Sequence, residues 1–169
     1  MARNVEIKAR IESVEALARR AQALADRGPE EIVQDDTFFR CEEGRLKLRA
    51  FPSGAGELIF YRRPDARGPK ESFYVIAPVA DAGALRRVLS LAYQESGRVR
   101  KVRRLYLVGR ARVHLDRVEG LGEFLELEVV LSEGEPARSG IEEATELMAR
   151  LGVERSQCVE GAYVDLLRG

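Results

Sequence analysis

Histidine is almost absent from this chain. His114 is the only one in 169 residues, which excludes a metal site built from several histidines and leaves carboxylates to hold any metal. Cysteine is scarce as well: Cys41 and Cys158 lie far apart, match no metal-ligand spacing, and read as two free thiols of a reducing compartment rather than a disulfide. No stretch approaches the roughly 20 apolar residues of a membrane-spanning helix. The N-terminal MARNVEIKAR also lacks the apolar core of a signal peptide. These absences point to a cytoplasmic chain without a membrane partner. An excess of either charge is missing too, because 28 Lys and Arg are matched by 28 Asp and Glu. Attachment to nucleic acid by bulk charge is therefore not expected, although a local basic patch is compatible with zero net charge. The glycines of VEGLGEF lack the strand-to-helix setting of a dinucleotide loop and read as a hairpin turn.

What the chain has in quantity is charge laid down in alternation. In NVEIKARI, Val5, Ile7, Ala9 and Ile11 share one face of a strand, while Asn4, Glu6, Lys8 and Arg10 share the other. RLKLR opposes Leu46 and Leu48 to Arg45, Lys47 and Arg49. RVHLD opposes Val113 and Leu115 to Arg112, His114 and Asp116, and FLELEV opposes Leu125, Leu127 and Val129 to Glu126 and Glu128. Strands joined by the turns EEG, PSGAG and DARGPKE predict an antiparallel meander. Helices are expected after Ser13, as an N-cap with Gly28-Pro29 as the stop, after Asp81 with a stripe of Leu85, Val88 and Leu89, and near the C-terminus, where Ser139 and Glu142 have capping-box spacing and Ile141, Ala144, Met148 and Leu151 share a face. Length and composition fit one α+β domain over residues 1–169.

Amphipathic helices need an apolar sheet face to cover, so they take the oily faces. The charged faces then meet solvent, or turn inward if the sheet curls into a barrel. Thr and Ser are common on solvated sheet faces, yet this one is dense in ionisable groups, and burying them requires pairing or a highly charged ligand. Glu126 and Glu128, about 6.5–7 Å apart along one strand face, can converge on a hard cation with Glu6 from another strand. Mg2+ or Mn2+ suits such oxygens. Lys8, Arg45, Lys47, Arg49, Lys101, Arg103 and Arg112 suit phosphate oxygens. A metal beside a ring of cations is what phosphoryl transfer requires. Phe38, Phe39, Tyr106 and Phe124 read as core, whereas Tyr61 and Tyr74 are candidates either for core or for contact with an organic ring.

These segments resemble the CYTH domains, also called triphosphate tunnel metalloenzymes. The family signature Glu-x-Glu-x-Lys aligns with NVEIK, where Glu6 and Lys8 agree and Asn4 replaces the first Glu. QDDTFF, GRLKLR, YRRPD, VRKVRRLY, VHLDRVEGLGEFLELEV and AYVDLL follow in the family's order. The resemblance implies an eight-stranded antiparallel β-barrel with helices outside, open as a tunnel. It implies that Glu6, Glu126 and Glu128, with Asp116 as an addition, hold one or two metal ions. Lys8, Lys47, Arg49, Arg63 and Arg103 would contact phosphate, with Arg45, Lys101 and Arg112 on matching parity. Strand parity does not separate Arg62 from Arg63, and the RPD context favours Arg63. His114 reads as structural or as a partner behind the ligands. Lys8 and Glu6 are the expected catalytic residues, Lys8 by orienting or activating water. The loss of a carboxylate at Asn4 implies weaker metal binding, one ion rather than two, altered substrate preference, or loss of catalysis.

The expected activity is metal-dependent hydrolysis of a small-molecule triphosphate: inorganic, thiamine or nucleoside triphosphate. The alternatives are cyclisation of ATP to cyclic AMP and pyrophosphate, or capture of a triphosphate without chemistry. The sequence does not distinguish a monomer from a homodimer.

Overall fold

Alternation turns the charged faces inward and closes the sheet upon them. In a computed structural model that describes residues 2–169, the strands are β1 (Ala2–Arg10), β2 (Arg27–Phe39), β3 (Arg45–Ala50), β4 (Gly56–Arg62), β5 (Lys70–Val79), β6 (Glu95–Val108), β7 (Ala111–Val118) and β8 (Gly122–Val130). They form a closed ring in the order β1-β5-β4-β3-β2-β6-β7-β8, every pair antiparallel. Two meanders, β2 to β5 and β6 to β8, are joined through the β2–β6 seam. β1 closes the ring between β5 and β8. The helices are α1 (Val14–Leu24), α2 (Ala82–Ala92), α3 (Ala137–Arg150) and α4 (Tyr163–Arg168). Among the described residues no helix is long and apolar enough to cross a membrane.

The oily faces of β1, β7 and β8 are covered from outside. Val5, Ile7, Val113, Leu115, Leu125, Leu127 and Val129 pack with Val14, Leu17 and Ala21 of α1 and with Ala144, Leu147 and Met148 of α3. Gly140 lets α3 approach closely, since a Cβ there would lie 2.7 Å from Leu131 and 2.8 Å from Val5. The charged faces of the same strands point into the ring, so these strands bury both sides. Cys41 is exposed and Cys158 buried, both as free thiols.

The Ser13 and Asp81 caps form, their side chains accepting from the amides of Ala16 and Ala84. Three local expectations change. α1 ends at Leu24, and Gly28-Pro29 lies inside β2, where the register breaks between Arg27 and Glu30. A Cβ on Gly28 would lie 2.6 Å from the Leu105 carbonyl oxygen, so this close approach requires glycine. α3 begins at Ala137 behind Pro136 without a side-chain cap, because Ser139 donates to Glu135 and Glu142 is held by Arg138. The α2 stripe is poorly covered: only Ala82 is buried and Val88 is 59% exposed.

The C-terminal segment closes one end of the ring. It bridges Ala9 at Cys158, and Ala162, Tyr163 and Val164 then pack on Phe38, Val99, Val118 and Phe124. The Tyr163 ring meets Phe124 edge-on at 5.0 Å.

The helix-covered core has a direct energetic consequence. Leu127→Ala is expected to lower unfolding free energy by about 3 kcal/mol through loss of burial and a residual cavity. Leu91→Ala, at a side chain 90% exposed, should change it by less than about 0.5 kcal/mol. Urea denaturation of both variants checks the contrast.

Candidate functional site

The interior of the ring is a cavity of about 490 Å³. Each strand contributes alternate residues. β1 supplies Asn4, Glu6 and Lys8, β3 supplies Lys47 and Arg49, β6 supplies Lys101 and Arg103, and β8 supplies Glu126 and Glu128. Arg112 and His114 come from β7, and Arg63 follows the end of β4. Ala162 and Tyr163 line the closed end, where Lys8 and Arg63 both donate to the Gly161 carbonyl, at 3.2 and 3.0 Å. The other end is bordered by Glu30, Ile32, Phe51, Glu57, Tyr74 and Ile76.

So many buried cations need nearby anions, and the ring's register supplies them. Asp36, 1% exposed, accepts from Lys47 at 3.1 Å, from Arg49 at 2.8 and 2.9 Å, and from Lys101 at 3.2 Å. Burial by itself raises a carboxyl, but these three cations hold Asp36 well below its ordinary range. Asp116 forms a two-pronged pair with Arg103 at 2.7 and 2.8 Å and accepts the Tyr163 hydroxyl at 2.8 Å. Glu6 accepts from Arg63 at 2.5 Å.

The remaining carboxylates are held more loosely. Glu126 stands 3.8 Å from Lys8 and 3.7 Å from Arg103, and Glu128 stands 3.6 Å from Arg112. Against its burial, Lys8 and Arg103 keep the Glu126 carboxyl well below its usual value. Burial and the charges of Glu6 and Glu126 push Glu128 up to about 7. Burial likewise pulls Lys8 and Lys101 down to about 7, and it drives His114 well below its ordinary value.

A ring nitrogen of His114 and one oxygen each of Glu126 and Glu128 lie within 4.8 Å of one another. His114 Nδ1 and Asn4 Oδ1 are buried without hydrogen-bond partners. Two weakly paired carboxylates beside unmet neutral donor atoms fit a divalent cation. Glu6, expected in the metal set, lies outside this group, with one oxygen taken by Arg63.

Two other expected site residues are placed elsewhere. Asp116 has the right parity but lies outside the cavity lining, and its two oxygens are engaged by Arg103 and Tyr163 rather than free for a metal. Arg45 also lies outside, paired with Asp65 and Asp165 at 3.3 and 2.7 Å. Of the two arginines that parity left open, Arg63 lines the cavity and Arg62 is exposed. Lys8, Lys47, Arg49, Lys101, Arg103 and Arg112 converge as the alternation suggests. Sequence reasoning overlooked Asp36, Gln34, Ser72 and Tyr163, which also line or anchor the cavity. The pair Asp35-Asp36 carries a signal for one inward acid, but both faces of that segment are polar, so the pattern does not say which one.

Comparison with known proteins agrees with this architecture. Residues 2–163 match the CYTH domain among models of protein families. A Methanocaldococcus jannaschii protein named as a candidate adenylate cyclase is 24% identical over 169 residues, covering 96% of this chain and 97% of its own. A solved Pyrococcus horikoshii structure superposes with a TM-score of 0.87 at 24% identity, covering 97% of this chain and 99% of its own. A Hippeastrum protein described as having a dominant triphosphatase activity superposes with a TM-score of 0.66 at 20% identity, covering 98% and 95%.

Two outcomes follow from the buried charges. In the free protein, Lys8 and Lys101 titrate near 7, below the ordinary 10.5, so the unfolded chain binds more protons between these values. Their contribution to stability therefore rises with pH across that window. A polyanion drives both amines back to the charged form. Triphosphate binding at pH 8.5 is thus expected to take up protons, approaching about two, with uptake vanishing below pH 6. Calorimetric titration in buffers of differing ionisation enthalpy measures this. Asp36→Asn removes the counter-charge of Arg49 and the group that favours protonated Lys47 and Lys101, and should destabilise the free protein by about 3–5 kcal/mol. Triphosphate should restore much of that loss, as read by chemical denaturation with and without it.

Proposed function

Since the chain belongs to the CYTH domain family, we propose that it hydrolyses a small-molecule triphosphate with the help of a divalent cation held in its tunnel. The observation that carries this reading is the convergence of seven cations (Lys8, Lys47, Arg49, Arg63, Lys101, Arg103 and Arg112) and the His114–Glu126–Glu128 group on one cavity closed at one end. Apart from Arg112, these cations are mostly shielded from solvent, so their pull on phosphate oxygens is stronger than at a surface.

The closed end sets the direction of entry. Lys8 and Arg63 stand at that end beside Ala162 and the Tyr163 ring, and their charge favours entry of the terminal phosphate first. Ile32, Phe51, Tyr74 and Ile76 at the opposite end give the organic part of a nucleoside or thiamine triphosphate an apolar seat. Lys47, Arg49, Lys101 and Arg103 then flank the phosphate chain. Glu126 and Glu128, with His114, would hold Mg2+ or Mn2+, which when bound supplies Lewis-acid polarisation of a phosphoryl oxygen. Lys8 regains its proton once the polyanion arrives. It acts as a cation that stabilises charge developing on the transferred phosphoryl group, and as a donor that orients water. Glu6, fixed by Arg63, accepts a hydrogen bond from the attacking water. The water oxygen forms the new P–O bond, the bridging P–O bond breaks, diphosphate or its ester leaves, and one water proton passes to solvent.

Cyclisation of ATP is the second reading, supported by the cyclase name of the Methanocaldococcus relative. It shares the cations but requires the ribose 3′-hydroxyl to reach the α-phosphate.

Product analysis separates these readings. The protein is incubated with ATP, thiamine triphosphate or inorganic triphosphate, each with Mg2+ or Mn2+. Orthophosphate from at least one substrate is expected, falling by on the order of 10²-fold in Glu128→Gln. Cyclic AMP with pyrophosphate would transfer the assignment to cyclisation. Tight triphosphate binding without any product would leave a tunnel that only captures its ligand.

A further inference from the structure

The single imidazole is an unusual occupant of a cavity otherwise furnished for hard, oxygen-loving ions. His114 lies in the inward row of β7, opposite Glu126 across the β8 seam and opposite Leu105 across the β6 seam. It is 4% exposed, and its Nδ1 has no hydrogen-bond partner. A buried histidine with a purely structural role ordinarily spends its ring nitrogens on a carbonyl or carboxylate. The acid two residues along its own strand, Asp116, is committed to Arg103 and Tyr163. The acids that His114 does approach are Glu126 and Glu128, with ligand atoms of all three side chains within 4.8 Å of one another. Donors bound to one ion at about 2.1 Å stand roughly 3–4 Å apart, so small side-chain rotations bring the three onto a common centre. The uncommitted Asn4 Oδ1 is a further neutral donor in the same cavity.

We propose that the tunnel's cation site is a mixed nitrogen–oxygen site with His114, Glu126 and Glu128 as ligands. It selects a borderline dication such as Mn2+ or Co2+ over Mg2+. Mg2+ gives up water reluctantly and is served by oxygen, whereas an imidazole nitrogen adds affinity for first-row transition metals. His114 then acts as a selectivity residue, because carboxylates alone hold either class. This inference rests on reading the tunnel as a divalent-cation site, and not on the hydrolysis proposed for it.

The test is pulsed electron paramagnetic resonance of the full chain loaded with Mn2+, without substrate. The expected spectrum shows ¹⁴N modulation from a directly bound imidazole, lost in His114→Gln. Competition titrations should show that His114→Gln weakens Mn2+ and Co2+ by on the order of tenfold or more, with Mg2+ changed by less than about threefold. Circular dichroism establishes that the variant is folded. Should it fail to fold, the wild-type spectrum decides alone. Absence of ¹⁴N coupling in the wild type, or equal loss of Mg2+ and Mn2+ in a folded variant, overturns the inference. Nitrogen coupling in a protein that turns over no triphosphate keeps it and removes the proposed function. Turnover with an ion bound only through oxygen does the reverse.

Discussion

Counter-charge inside the ring is the constraint from which the rest of this structure follows. Seven cations share one cavity of about 490 Å³, and charges withdrawn from water are tolerated only beside opposite charges in good geometry. Asp36 answers for Lys47, Arg49 and Lys101, Asp116 for Arg103, and Glu6 for Arg63. These three acids are engaged at hydrogen-bonding distance and act as a scaffold for the basic lining. Glu126 and Glu128 differ in kind. Their cationic neighbours stay 3.6–3.8 Å away, so their oxygens retain capacity for another partner. The tunnel thus divides its carboxylates into those that hold the basic residues in place and those left free to hold something else.

That division depends on both faces of the same strands. β1, β7 and β8 press their apolar residues against α1 and α3 while their charged residues look inward. Rigid outer packing fixes the inner row, as a row of donors for a polyanion requires. β4 and β5 bury less on their outer side, and α2 lies with most of its surface exposed. The firm half of the ring is therefore the half that carries Glu126, Glu128 and His114.

Closure at one end by the C-terminal segment gives the tunnel polarity. Gly161 receives Lys8 and Arg63, and Tyr163 buttresses Asp116, so the last residues of the chain finish a site begun by the first ten. The solved relatives share this architecture at 20–24% identity. Superposition at that identity shows a common fold, while the chemistry depends on the side chains that furnish the cavity.

The sequence by itself determined which residues could share a face. Two-residue alternation is a local property of a strand, and it placed Glu6 with Lys8, Lys47 with Arg49, Lys101 with Arg103, and Glu126 with Glu128. The Ser13 and Asp81 caps were legible for the same reason, since a cap is satisfied within a few residues of itself. Tertiary structure alone decided what each inward residue meets. Register across a seam is set by closure of the whole ring. Asp116 therefore faces Arg103 instead of an ion, and Arg45 falls past the lining to pair with Asp165. Of two adjacent acids, Asp36 rather than Asp35 anchors three cations. His114, indistinguishable in sequence from a structural histidine, is brought to Glu126 and Glu128. Alternation assigns a side chain to a face at no distance along the chain, whereas a charge constellation is made of residues far apart in sequence, and only the closed sheet brings them together.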